Sequence, residues 1–219
     1  MELLSNLTLY HPSSVEDAVS LYSAASNGHY LAGGSDFLVN VRRGIEQPDS
    51  LIYLNNIAEM QAIKDAGDTI TIGGGVILRD LDNSALIQKH FAAVARAAGE
   101  VAGPSHREYG TLGGNLCLDT RCVFYNQSEW WRAANNYCLK SRGEICHVAP
   151  GGKKCFAAFS GDVAPALLLF DAEVELAGPN GRRRVALADL YRNDGMDHLT
   201  LSKDELLVAV HVAKPSAPM

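Results

Sequence analysis

All five cysteines of the 219-residue chain fall between Tyr109 and Cys155, at Cys117, Cys122, Cys138, Cys146 and Cys155. The last four are separated by 15, 7 and 8 residues, and no C-x-x-C pair occurs. Zinc ribbons and knuckles are usually built from two close pairs, so a four-thiolate zinc ion fits this spacing poorly. Iron-sulfur clusters accept widely spread thiolates because the inorganic core is itself large. Phe124, Tyr125, Trp130 and Trp131 could shield such a core, and five basic residues between Arg132 and Lys154 could offset its negative charge. Plain burial of four thiols is the third reading, though a polar, loop-like run is a poor place for inert packing. The spacing favours a cluster on Cys122, Cys138, Cys146 and Cys155, with a zinc ion and unligated thiols as open alternatives.

The segment that leads into the cysteines is YGTLGGNL, from Tyr109 to Leu116. A second glycine run, AGGSD, spans Ala32 to Asp36. There Tyr30 to Ala32 read as a strand, Gly33 and Gly34 as a turn, and Ser35 or Asp36 as the cap of a helix. Side-chain-free residues let backbone N–H groups converge on an anion, and a following helix end adds partial positive charge. A tight strand-to-helix connection with no ligand would have the same sequence. Cys117 follows the second glycine turn directly and is expected in the wall of that site, apart from the metal.

Around these motifs the chain reads as α+β. His11 to Gly28 is expected as an amphipathic helix with a capping box at Ser13 and Glu16, closed by Asn27-Gly28. Short strands are expected near Leu51 to Leu54, Met60 to Lys64 and Thr69 to Gly73, with Ala66-Gly67-Asp68 as a hairpin turn. Asp82 to Gly99 reads as one helix with Ile87, Phe91, Val94, Ala95 and Ala98 on its core face, and His90 and His106 as ordinary surface or loop residues. After the cysteines come a short helix, a strand from Ala172 to Leu176, a Gly-Pro-Asn-Gly turn, a second strand, a short helix and a last strand from Leu206 to Val212. A boundary near 50–56 divides an N-terminal lobe, 1–55, from a larger one, 56–219, with a cysteine-rich insertion at 119–159.

The net charge of −6 and a pI near 5.6 offer no basic footprint for nucleic acid, and Arg182 to Arg184 read as a solvated strand end. No apolar run is long enough to span a bilayer and no export signal opens the chain, so a cytoplasmic, membrane-free protein is expected. An odd cysteine count without such a signal points to metal or redox chemistry over disulfides.

AGGSD and TLGGN (Thr111 to Asn115), in that order and separated by an α+β body, resemble the FAD-binding subunit of the xanthine dehydrogenase and carbon monoxide dehydrogenase family. Most of that family passes straight from the second glycine motif to a segment like SGDVAPALLLFDAEVEL. The cysteine-bearing insertion, with CVFYNQSEWWR, resembles the 4-hydroxybenzoyl-CoA reductase branch, whose beta subunits carry a 4Fe-4S cluster there. The resemblance implies a two-lobed fold of the molybdopterin dehydrogenase flavin-subunit (PCMH) type. It implies FAD wrapped by His29, Tyr30, Leu31, Ala32, Gly33, Gly34, Ser35 and Asp36, with Thr111, Gly113, Gly114 and Asn115 as the second loop. Val101, Asp162 and Leu207 follow as further flavin contacts, and Cys122, Cys138, Cys146 and Cys155 as cluster ligands. Family members of this kind continue into a C-terminal domain, expected to be absent from a chain that stops at Met219.

The resemblance further implies a flavoprotein subunit with no catalytic acid or base of its own. Electrons would pass from ferredoxin towards a 2Fe-2S small subunit and a molybdopterin-binding large subunit, in a heterohexamer of two copies of each subunit.

Overall fold

The computed structural model describes residues 7–216, so the outer limits of the two expected lobes, Met1 and Met219, lie outside the described residues. Near the N-terminus β1 (Thr8–Tyr10), β2 (Gly28–Leu31) and β3 (Ser50–Tyr53) form a parallel sheet in the order β1-β3-β2. Parallel pairing needs a crossover, and α1 (Val15–Ala24) supplies it between β1 and β2. The cap of α1 lies one residue beyond the expected Ser13 and Glu16. Ser14 Oγ accepts from the Asp17 N–H at 3.1 Å, and the Ser13 N–H reaches back to Asp17 Oδ2 at 3.3 Å. The helix stops at Ala25, before Asn27-Gly28, because Gly28 already belongs to β2.

The larger sheet is antiparallel, with β4 (Ile63–Asp65), β5 (Thr69–Gly73), β6 (Glu173–Gly178), β7 (Gly181–Ala186) and β8 (Leu206–Ala213) in the order β4-β5-β8-β6-β7. Met60, expected in a strand, lies instead in the 3-10 turn Ala58–Gln61. Central β8, with the sequence LLVAVHVA, is buried at every position except its last. Such a run requires cover on both faces. Leu207, Val210 and Val212 join the main core, while Leu206, Val208 and Ala209 join a smaller core shared with α1 and β3. A bulge opposite Glu175 and Leu176 lets the adjacent Val208 and Ala209 turn to the same side.

Helices cover the main-core face of this sheet: α3 (Leu78–Asn83), α4 (Ala85–His90), α5 (Ala92–Glu100), α7 (Leu112–Leu116) and α9 (Val163–Leu168), with α2 (Phe37–Arg42), α6 (Pro104–Arg107) and α8 (Glu129–Ala134) as short outliers. The single helix expected over Asp82 to Gly99 is broken twice. Ser84 Oγ caps α4 by accepting from the Ile87 N–H at 3.4 Å, and Phe91, at φ −140 and ψ 55, separates α4 from α5. The break drives the Phe91 ring fully into the core, edge-on to Phe170 at 4.9 Å. The result is a mixed α/β fold, and no helix among the described residues is long and apolar enough to cross a membrane.

The cysteine-rich segment leaves and rejoins this body at one place. Arg121 and Ala158 exchange two backbone hydrogen bonds of 2.7 and 2.8 Å, an isolated antiparallel bridge that closes the insertion. Neither core draws a residue from Leu118 to Ala158.

Candidate functional site

A cleft of about 510 Å³ lies between the β2–α2 loop, the loop before α7, the Gly73 to Gly75 corner and the start of β8. Its size suits an organic cofactor. The first loop is held open by its glycines. A Cβ on Gly33 would lie 1.8 Å from the Tyr109 carbonyl oxygen, and Gly34 sits at φ +67, so the two loops meet backbone to backbone. Among the described residues the amide N–H groups of Gly33, Gly34, Ser35, Asp36 and Phe37 have no hydrogen-bond acceptor. An adjacent run of unused donors beside a cleft matches what an anionic ligand requires.

The second loop is different. Its Gly113 N–H donates to the Gly74 carbonyl at 2.7 Å, and its Gly114 N–H donates to Thr111 Oγ1 at 3.1 Å. These amides are already used, so the loop contributes shape: a Cβ on Gly113 would stand 2.9 Å from Gly74 O.

Tyr30, Leu31, Ala32, Gly33, Gly34, Ser35, Asp36, Val101, Thr111, Gly113, Gly114, Asn115 and Leu207 all line this cleft. His29 and Asp162 do not. The His29 ring packs on Phe37 at 5.1 Å with Nε2 3.4 Å from Glu46, and Asp162 is exposed ahead of α9. Asn115 Oδ1 is engaged locally, accepting from the Val163 N–H at 3.0 Å. Asp36 stands at the start of α2 but makes no side-chain cap; its carboxylate pairs with Arg121. Sequence reasoning missed Arg121, Glu205 and the Gly74-Gly75 corner as wall residues, and it left His106, exposed at the rim, as an ordinary loop residue. The run Gly73-Gly74-Gly75 was a visible signal.

Four carboxylates line the cleft; three have a cationic side chain beside them and the fourth a histidine. Asp119 accepts from Lys140 Nζ at 2.6 Å, Glu205 from Arg183 at 2.6 and 2.8 Å, Asp36 from Arg121, and Glu46 faces His29. Of those four partners only Arg121 is itself a wall residue. Cys117 also lines the wall, where burial pushes its thiol up to about 12 and keeps it protonated and unreactive.

Cys122, Cys138, Cys146 and Cys155 converge on a second, small cavity together with Phe124, Tyr125, Lys140 and His147, and Cys117 stands apart from it. Burial raises the Cys146 thiol, yet the N–H groups of Phe156, Ala149 and Val148 outweigh it and lower its pKa. Cys155 is raised by burial, against a 3.4 Å contact from the Ala157 N–H. Backbone donors aimed at sulfur suit thiolate ligands. Among the described residues no three His, Cys, Asp or Glu side chains stand close enough to hold one metal ion, which weighs against the zinc reading. The cavity is about 10 Å³, so the expected cluster site is not formed by the side chains as they stand. Of the expected shielding aromatics, Trp130 is 78% exposed and turns to solvent, whereas Phe124 and Tyr125 face the sulfurs.

The two cavities share a wall. Lys140, its side chain only 6% exposed, lies beside the cysteines and donates to Asp119 and Thr120, while Asp119 and Arg121 face the cleft.

A profile of the family described as "FAD binding domain in molybdopterin dehydrogenase" matches residues 5–215. The chain is 30% identical over 206 residues to the carbon monoxide dehydrogenase medium chain of Hydrogenophaga pseudoflava, covering 93% of this chain and 58% of that one. It is 32% identical over 196 residues to the aldehyde oxidoreductase FAD-binding subunit PaoB of Escherichia coli K12, covering 85% of this chain and 61% of the relative. A solved carbon monoxide dehydrogenase from Hydrogenophaga pseudoflava, lacking the Mo-pyranopterin moiety of its cofactor, superposes with a TM-score of 0.73 at 25% identity, over 99% of this chain and 62% of that one. The chain thus spans about three fifths of the length of these relatives.

Proposed function

Because the chain belongs to the FAD-binding domain family of the molybdopterin dehydrogenases, we propose that it is the flavin-carrying electron-relay subunit of a multi-subunit molybdenum oxidoreductase of the 4-hydroxybenzoyl-CoA reductase type. The observation that carries the flavin part is the run of unused amides from Gly33 to Phe37 along a 510 Å³ cleft. Those amides receive the diphosphate of FAD. Thr111, Gly113 and Gly114 give the opposite wall its close approach, and Leu78, Val101 and Leu207 offer apolar surface to the ring system. FAD supplies one- and two-electron exchange once bound. The chain itself binds, orients and excludes water; no acid, base or nucleophile is assigned to it.

The finer part of the proposal rests on the convergence of Cys122, Cys138, Cys146 and Cys155 against the wall of the same cleft. These four hold a 4Fe-4S cluster, with Lys140 offsetting its charge. A ferredoxin-type donor delivers single electrons on that side, and the recipients are a small 2Fe-2S subunit and a large molybdopterin-binding subunit. Of the two lobes, 1–55 and 56–219, the described residues 7–55 and 56–216 flank the cleft. The tightness of the cysteine cavity favours a second reading: a conventional flavin subunit that passes electrons to NAD or another acceptor, with the insertion as an interface loop.

Iron, acid-labile sulfide, zinc and flavin content of anaerobically prepared protein separates the readings. The proposal expects about one FAD with about four iron and four sulfide per chain, the last two lost in Cys138→Ala. Flavin without iron or sulfide leaves the conventional reading, and an absence of flavin removes both.

A further inference from the structure

Arg121 is the cation of the cleft wall, and its guanidinium is only half engaged. Nη2 pairs with Asp36, while Nη1 is buried with no hydrogen-bond partner among the described residues. A buried, unpaired guanidinium nitrogen is costly. The backbone of Arg121 is fixed by the bridge to Ala158, so the side chain projects from the closed neck of the insertion and not from a free loop. Its partner Asp36 stands within the run of unused amides from Gly33 to Phe37. An unpaired carboxylate there would repel any anion those amides could receive.

We propose that Arg121 is a diphosphate-recognition residue: its guanidinium, one-third exposed in the cleft wall, turns to donate its unpaired Nη1 to an anionic ligand oxygen, while Nη2 neutralises Asp36 so that the adjoining amides can donate to the same ligand. This rests on reading the cleft as the flavin site and extends it, because it makes the insertion part of the nucleotide site. A planar guanidinium can serve two oxygens at once, which a lysine ammonium cannot do with the same geometry.

The test is titration of the full apo-chain with FAD and, separately, with ADP. In Arg121→Gln both affinities should fall by similar factors, about tenfold to a hundredfold, the range of a lost charge-assisted hydrogen bond. Arg121→Lys should recover part of the loss. Arg121→Gln combined with Asp36→Asn should bind FAD more tightly than Arg121→Gln alone, because the carboxylate left unmasked has gone. Unchanged FAD and ADP affinity in Arg121→Gln overturns the proposal, and absence of recovery in the double variant removes the neutralising role of Nη2. Loss of secondary structure in both the Gln and Lys variants makes Arg121 a structural residue and overturns it equally. Failure of the unaltered chain to bind either FAD or ADP defeats the reading of the cleft along with it, whereas binding that ignores Arg121 defeats this inference alone.

Discussion

Gly33 is where the two glycine loops touch. A methyl group there would have to occupy space 1.8 Å from the Tyr109 carbonyl oxygen, and backbone cannot rotate aside as a side chain can. Gly33→Ala is therefore expected to cost about 1–3 kcal/mol, as overpacking does, and to lower FAD retention by parting the loops. Urea unfolding and flavin content after gel filtration measure the two effects. Glu205 provides a residue-scale test of pH. The two hydrogen bonds from Arg183 hold its carboxyl below the ordinary value of 4.5, against a smaller opposing effect of burial. A depressed folded-state pKa stabilises fully above about 4.5 and is lost as pH falls through the folded value. Arg183 is nearly half exposed, so the contribution is about 1 kcal/mol. The stability gap between the protein and Glu205→Gln should be widest near pH 7 and narrow as pH falls below 4.5. A gap that widens on acidification would contradict the pairing.

At the scale of elements, the insertion is closed by one two-bond bridge, held to the body by a few further polar ties, and contributes to neither core. Replacing 122–157 by a short Gly-rich turn should leave far-UV dichroism near native and cost no more than about 2 kcal/mol, the worth of a few polar ties. Those ties include the Gly195 N–H to Cys155 O at 2.9 Å and Arg132 Nη2 to Gly44 O at 3.0 Å. A collapse of the whole fold would show that the insertion is integral. The independence of this segment was legible in its polar, aperiodic composition, as were both glycine runs and the strands flanking Gly67. The parallel order β1-β3-β2 was not, because it pairs segments some 20 to 40 positions apart with no local turn to announce it. Nor was the break at Phe91, where burial of one ring outweighs the continuity of an α-helix whose periodicity looked unbroken. Arg121 was hidden for the same reason: its partner Asp36 lies 85 positions away, and nothing near either residue marks the pair.

At the scale of the whole molecule, β8 links everything outside the insertion. It is the middle strand of the larger sheet, and its two faces belong to two different cores, so neither core can dissolve while β8 stays in place. The body should therefore unfold as one cooperative unit, with far-UV dichroism reporting a single transition. The insertion shares no core residue with that unit, and the two tryptophans of the chain, Trp130 and Trp131, both lie within it. Tryptophan fluorescence thus reports the insertion, and dichroism reports mainly the body. If the four cysteines hold a cluster, stripping it anaerobically with an iron chelator should move the fluorescence transition to lower denaturant, while the dichroism midpoint stays within error. Metal bound to the folded insertion and not to its unfolded form stabilises that segment by mass action alone. Coincident transitions before and after chelation would mean that insertion and body fold as one. A fluorescence transition indifferent to the chelator would mean that the four sulfurs hold no iron.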